Sequence, residues 1–195
     1  VAQYVYNGDY GSNKVKFGAY YGGSSKRDIK NVDLKNNRKN TWGTGLIFDH
    51  EIDSIQNVTV AAGFTREISE NADKTAYYSN AYALGLAYNF VHTTYGLDFA
   101  HKDTKNKDGA GNKVKNNEVT AVIRQGLNED WNVYAMYSYK TEKTLPVGSA
   151  YSKSTDRQFL VGTEYYVYNQ GSLKVKPFIE WQATRTKYEN TFDDA

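Results

Sequence analysis

Nine charged residues stand out because each falls, by parity, on the polar side of an alternating stretch: Lys14, Lys16, Asp98, Arg124, Lys140, Glu164, Lys174, Lys176 and Glu180. Fixed charges of this kind, facing a narrow aqueous space, focus the field and raise the local concentration of counter-ions. Lys14, Lys16, Arg124, Lys174 and Lys176 lie within a few residues of a short turn, so they are expected to gather at one mouth of that space. Asp98, Glu164 and Glu180 come from nearer mid-strand. The excess of positive charge predicts a preference for anions at low salt, screened over about 10 Å at 0.1 M. The alternative is that these lysines snorkel to a rim and are neutralised by neighbouring carboxylates.

The elements that must position these charges are strands. From Tyr78 to Phe90 the even positions are Tyr, Asn, Tyr, Leu, Leu, Tyr and Phe, and the odd positions between them are Ser, Ala, Ala, Gly, Ala and Asn. That is period two, with one apolar and one small or polar face. Tyr95, Leu97 and Phe99 resume the pattern after a break at Val91–Thr93, completing a hairpin. Tyrosine near the ends and leucine in the middle is the distribution of a lipid-facing strand. The same alternation recurs with Tyr4, Tyr6 and Tyr10; Val15, Phe17, Ala19 and Tyr21; Trp42, Leu46 and Phe48; Val58, Val60 and Phe64; Val119, Ala121 and Ile123; Trp131, Val133, Tyr137 and Tyr139; Phe159, Val161 and Tyr165; and Ile179, Trp181 and Ala183. About ten strands result, in one all-β, antiparallel domain over residues 1–195. Pro177, inside the last, predicts a bulge or a locally unpaired position.

Composition narrows the classes. The chain has 195 residues, no cysteine and 18 tyrosines, and its net charge of +2 is too small to argue for nucleic acid. Mean hydropathy is strongly negative. No apolar run reaches the roughly eighteen residues of a membrane helix. So many phenolic hydroxyls suit a barrel with an apolar outside and a wet inside better than a dry core.

Short connections alternate with long polar ones, the latter at Gly23–Asn40, after Phe64, at Asp103–Asn116 and at Thr141–Asp156. If short turns are periplasmic and long loops external, both chain ends fall on the long-loop side. The expectation is a transmembrane β-barrel from which a first and a last strand are missing, in a parent of twelve or more; a ten-stranded barrel with external ends is the alternative.

The stretches GLAYNFVHTTYGLDFAHK, VIRQGLNEDWNVYAMYSYK and GTEYYVYNQGSLKVKPFIEWQ resemble Gram-negative porins in their repeat of strand, short Asn/Asp/Gly turn, strand and long loop. The resemblance covers nearly the whole chain at the level of a class. It implies a barrel in the bacterial outer membrane, conducting ions and small hydrophilic solutes, with outer-membrane lipid and lipopolysaccharide around it; a homotrimer is one assembly open to it. Small residues on the inner face, including Gly18, Gly43, Gly45, Gly63, Ala83, Gly85, Gly96 and Gly162, fit a passive pore. The rivals are a structural or adhesive barrel with a closed lumen and a soluble ligand-binding β-barrel.

Catalysis is not expected. His50 and His92 fall at short turns, and His101 faces outward without the His-x-Ser of outer-membrane lipid hydrolases. Asp103, Asp108 and Asp156 read as loop carboxylates. Thr104–Lys115 resembles a calcium loop only in its middle, lacking the first acid and the final glutamate, so no cofactor is expected. The lysine-rich first loop, with Lys26, Arg27, Lys30, Lys35, Arg38 and Lys39, is a candidate for lipopolysaccharide phosphates, with a solvated loop as the plainer reading.

Overall fold

The computed structural model describes residues 1–23, 37–70, 76–106, 113–146, 151–170 and 173–191, apart from the side chains of residues 37, 38, 168–170, 173, 174 and 191. Ten strands form one antiparallel sheet in chain order: β1 (Ala2–Tyr10), β2 (Asn13–Gly22), β3 (Asn37–Asp53), β4 (Gln56–Glu70), β5 (Ala76–Phe90), β6 (Thr93–Asn106), β7 (Lys113–Gly126), β8 (Trp131–Leu145), β9 (Tyr151–Tyr165) and β12 (Phe178–Thr191). A two-stranded ribbon, β10 (Tyr168–Gln170) and β11 (Leu173–Val175), connects the last two. No helix occurs among the described residues. β1 pairs only with β2 and β12 only with β9, so the sheet is open and the expected closure into a barrel is not made.

Register turns the alternation of single strands into two continuous faces. One row of direct cross-strand partners reads Val15, Phe48, Val60, Leu86, Leu97, Ala121, Tyr137 and Phe159 across β2–β9. Because partners share a face, the alternating apolar rows of all the strands lie on the same side. Nothing covers them: among the described residues no hydrophobic side chain is buried, and Leu84 and Leu97, at the centre of the sheet, are 54% and 50% exposed. The buried polar residues among those described are Thr41, Ser69, Ser138, Thr155 and Glu164. Aromatic rings pack at tilted angles along the apolar face, with centroids 5.0 Å apart for Trp42 and Phe64 and 4.9 Å for Phe64 and Tyr82.

The opposite face is concave. A cavity of about 710 Å³ is lined from Gln3 on β1 to Glu142 on β8, which requires the sheet to curl with its polar side inward. The short turns fit their residues unequally. Gly11 supplies the positive φ of 69° between β1 and β2, whereas Val91 adopts φ 54° between β5 and β6, where a β-branched side chain is strained.

Strands run further than their apolar parts. Stretches expected to be loops are paired: Asn37–Asn40 in β3, Thr65–Glu70 in β4, Asp103–Asn106 in β6, Lys113–Asn116 in β7, Thr141–Leu145 in β8 and Tyr151–Asp156 in β9. Backbone ladders need only partners in register, so polar side chains on both faces do not end them. His50 accordingly sits in β3, its Nδ1 2.9 Å from Asn13 Oδ1, rather than in a turn. Lys176-Pro177 interrupts pairing between β11 and β12, the irregularity expected of a proline in a ladder.

Candidate functional site

The polar face carries the site, and three groups compose it. Near the short turns of β7–β12, Glu164 accepts a hydrogen bond from Arg124 Nη2 and another from Lys176 Nζ at 2.5 Å. Lys176 also lies 5.4 Å from the Tyr166 ring centroid. In the adjoining row, Arg124, Tyr134, Gly162 and Glu180 are successive partners across β7, β8, β9 and β12. Tyr134 lies flat across Gly162, where a Cβ would stand 2.5 Å from Cζ, and donates its hydroxyl proton to Glu180 Oε1 at 2.6 Å. Four expected residues, Arg124, Glu164, Lys176 and Glu180, therefore belong to one cluster.

Lys14 and Lys16 lie apart from it, on β2. Register places Lys14 between Asp9 and Asp49, and Lys16 between Asn7 and Ile47. Neither makes an ion pair within 4.0 Å among the described residues. Asp98 lies over its partner Gly85, where a Cβ would be 2.7 Å from Oδ1. Lys174 is on β11, and its side chain lies outside the described residues, as do Lys26, Arg27, Lys30, Lys35, Asp108 and the side chain of Arg38. Lys39 pairs with Glu70 at the loop-side end of β3 and β4.

Lys140 belongs to the third group. A single row runs Val5, Gly18, Gly45, Gly63, Ala83, Ala100, Glu118, Lys140, Asp156 and Thr186. Its β2–β6 half is glycine and alanine with no bulky partner, and the nearest atoms to a Cβ at Gly18, Gly45 and Gly63 would be 4.0, 3.6 and 3.8 Å away. Its β7–β9 half is charged. Glu118 is held by Ser138 Oγ at 3.1 Å. A second cavity of about 580 Å³ shares the same small floor, with Lys16 and Asp98 at its sides.

Parity placed the charges on this face but missed Glu118, Asp156 and Tyr134 as members of the site. Asp156 was expected in a loop, and only the extended β9 brings it level with Lys140. Leu160 has Met136 and Gln182 as partners and Val122 one strand beyond, so it joins a small apolar patch on the polar face.

The arrangement groups charges beside a floor of small residues; no group of three or more metal-ligating side chains occurs among the described residues. His101 Nδ1 stands 2.7 Å from Asn117 Oδ1 and its ring lies 6.1 Å from that of Tyr82, on the apolar face. No family model, curated protein or solved structure matches the chain.

Proposed function

We propose that these strands form the wall of a β-barrel in a bacterial outer membrane, and that the barrel is a passive channel for ions and small hydrophilic solutes. The observation that carries this reading is an exposed apolar face, continuous across ten strands, backed by a concave polar face floored with glycine and alanine. A soluble monomer rarely leaves more than a few hundred Å² of contiguous apolar surface in water. Lipid covers such a face without penalty, and lipopolysaccharide and phospholipid are its proposed surroundings. Hydrocarbon does not tolerate unpaired strand edges, so in the membrane the free edges of β1 and β12 must be paired.

Any preference for anions is proposed to be weak. Arg124 and Lys176 share Glu164, which leaves Lys14 and Lys16, among the described side chains of the expected basic set, as the cations that no carboxylate holds at ion-pair distance. Planar-bilayer recording tests the channel: the protein should give discrete conductance steps, and solute flux should fall steeply with size. Folded, membrane-inserted protein that gives no steps would end the channel reading in favour of a structural or adhesive barrel with a closed lumen.

A further inference from the structure

The outward face of β7–β12 changes character abruptly on its loop side. Below the change the direct partners are Tyr137, Phe159 and Ala183. In the next row they are Tyr139, Arg157 and Arg185, and two rows further Lys115, Lys143 and Lys153 stand side by side on three consecutive strands, with Lys187 in the row between. Like charges directly opposite one another destabilise a strand pair. Here the same arrangement occurs both for the two arginines and for the three lysines. Neighbouring strands are about 4.8 Å apart, and alternate residues along a strand about 6.8 Å, so the six cations occupy an area comparable to a few phosphate groups.

The acids nearby do not neutralise the patch. Glu189 pairs with Lys187 at 2.6 Å and reaches Lys153 at 3.8 Å. Asp103 is the register partner of Lys115 at the far end. Among the described residues, no carboxylate pairs with Arg157 or Arg185, and both are exposed. Arg157 is instead aligned by the Tyr139 ring, 5.9 Å from Cζ to centroid, and Lys143 sits 3.7 Å from the Tyr151 centroid. Rings that orient cations at the upper edge of an apolar face leave the charged heads pointing into the layer where lipid headgroups lie. Arginine also binds phosphate oxygens in bidentate fashion.

We propose that this patch, centred on Arg157 and Arg185, is a binding site for the phosphate groups of anionic lipid headgroups, fixing a ring of lipid against the loop-side half of β8, β9 and β12. The proposal rests on the membrane reading above. The same basic chemistry would accept free phosphate, but the position of the patch, flush with the apolar rows beneath it, favours a phosphate carried on an acyl chain.

The test uses the full chain reconstituted in phosphatidylcholine vesicles containing a minor fraction of spin-labelled phosphatidic acid, with spin-labelled phosphatidylcholine as reference. Insertion is scored separately by protease protection and heat-modifiable gel migration. The wild type should enrich the phosphatidic acid probe in its motionally restricted lipid shell. Arg157→Gln with Arg185→Gln should lower that enrichment at least about fivefold, since each basic residue near a lipid surface contributes about that factor. The single variant Arg185→Gln relieves the like-charge contact, so it should fold and insert as the wild type does and show an intermediate enrichment. Inserted wild-type protein with no preference for phosphatidic acid would overturn the proposal and leave the membrane reading standing. Displacement of the probe by millimolar inorganic phosphate would overturn the lipid as source. Failure to insert at all would remove both.

Discussion

A glycine on the polar face either leaves space or yields it to a neighbour, and the cross-strand partner decides which. Gly43, Gly85, Gly96 and Gly162 face Tyr20, Asp98, Val122 and Tyr134, and each partner lies down over the missing side chain. Gly18, Gly45 and Gly63 face one another and stay open. Gly162→Ala should therefore force Tyr134 off the sheet and destabilise by about 1–3 kcal/mol, as overpacking does. Gly45→Ala should stay within about 0.5 kcal/mol. Denaturant midpoints followed by heat-modifiable migration separate the two, and equal midpoints would refute the distinction. Glu164 invites a second substitution. Glu164→Gln removes the charge that holds Arg124 and Lys176, so reversal potentials under a salt gradient should move towards anion selectivity, and the shift should shrink as ionic strength rises. No shift would place that cluster off the conducting path. Parity alone made the glycines, Asp98, Arg124, Glu164 and Lys176 legible as residues of one face. Which glycines were covered, and that Glu164 took two cations, depended on pairings between strands that no single strand encodes.

Strands and turns are set by rules that a sequence displays unevenly. The apolar half of each strand announces itself through period two, and β1, Ala2–Tyr10, contains the expected Tyr4, Tyr6 and Tyr10. The polar extensions of β3, β4 and β6–β9 do not, since a ladder between two polar strands has no apolar alternation to reveal it. Tight turns are legible where glycine supplies the conformation, as at Gly11, and illegible at Val91, where the ladder of β5 and β6 imposes a positive φ on a residue that disfavours it. Val91 N–H donates to Ile55 O at 2.8 Å, tying this turn to its neighbour between β3 and β4. Val91→Gly keeps that donor and removes the clash, so it should raise stability by about 1 kcal/mol. Unfolding of the detergent-folded protein in urea provides the measurement, and an unchanged or lower midpoint would mean that the strained conformer is not the one populated in solution.

At the scale of the whole molecule, the two faces of the sheet call for two different surroundings. One face has no layer packed on it, and the other curls around water-sized space. Moving across the sheet, the apolar stretch slips against the register rows: Phe17 on β2 shares its row with Arg157 and Arg185 on β9 and β12, while Trp181 on β12 lies two rows nearer the short turns. Strands tilted against a flat apolar slab produce such a slip, because a level band then crosses successive rows diagonally. A soluble sandwich has no reason to keep a level band, and it would bury the rows it keeps. Leu84 and Ala83, adjacent on β5, point to opposite faces and so discriminate between the surroundings. A spin label at Leu84 should be relaxed by dissolved oxygen and shielded from a water-soluble nickel complex, and a label at Ala83 should show the reverse. The labels must be read in reconstituted vesicles, since detergent wraps an apolar face whether or not it spans a bilayer. Equal access of the nickel complex to both positions would mean that water wets the apolar face, and the sheet would then have to hide it against a protein layer instead.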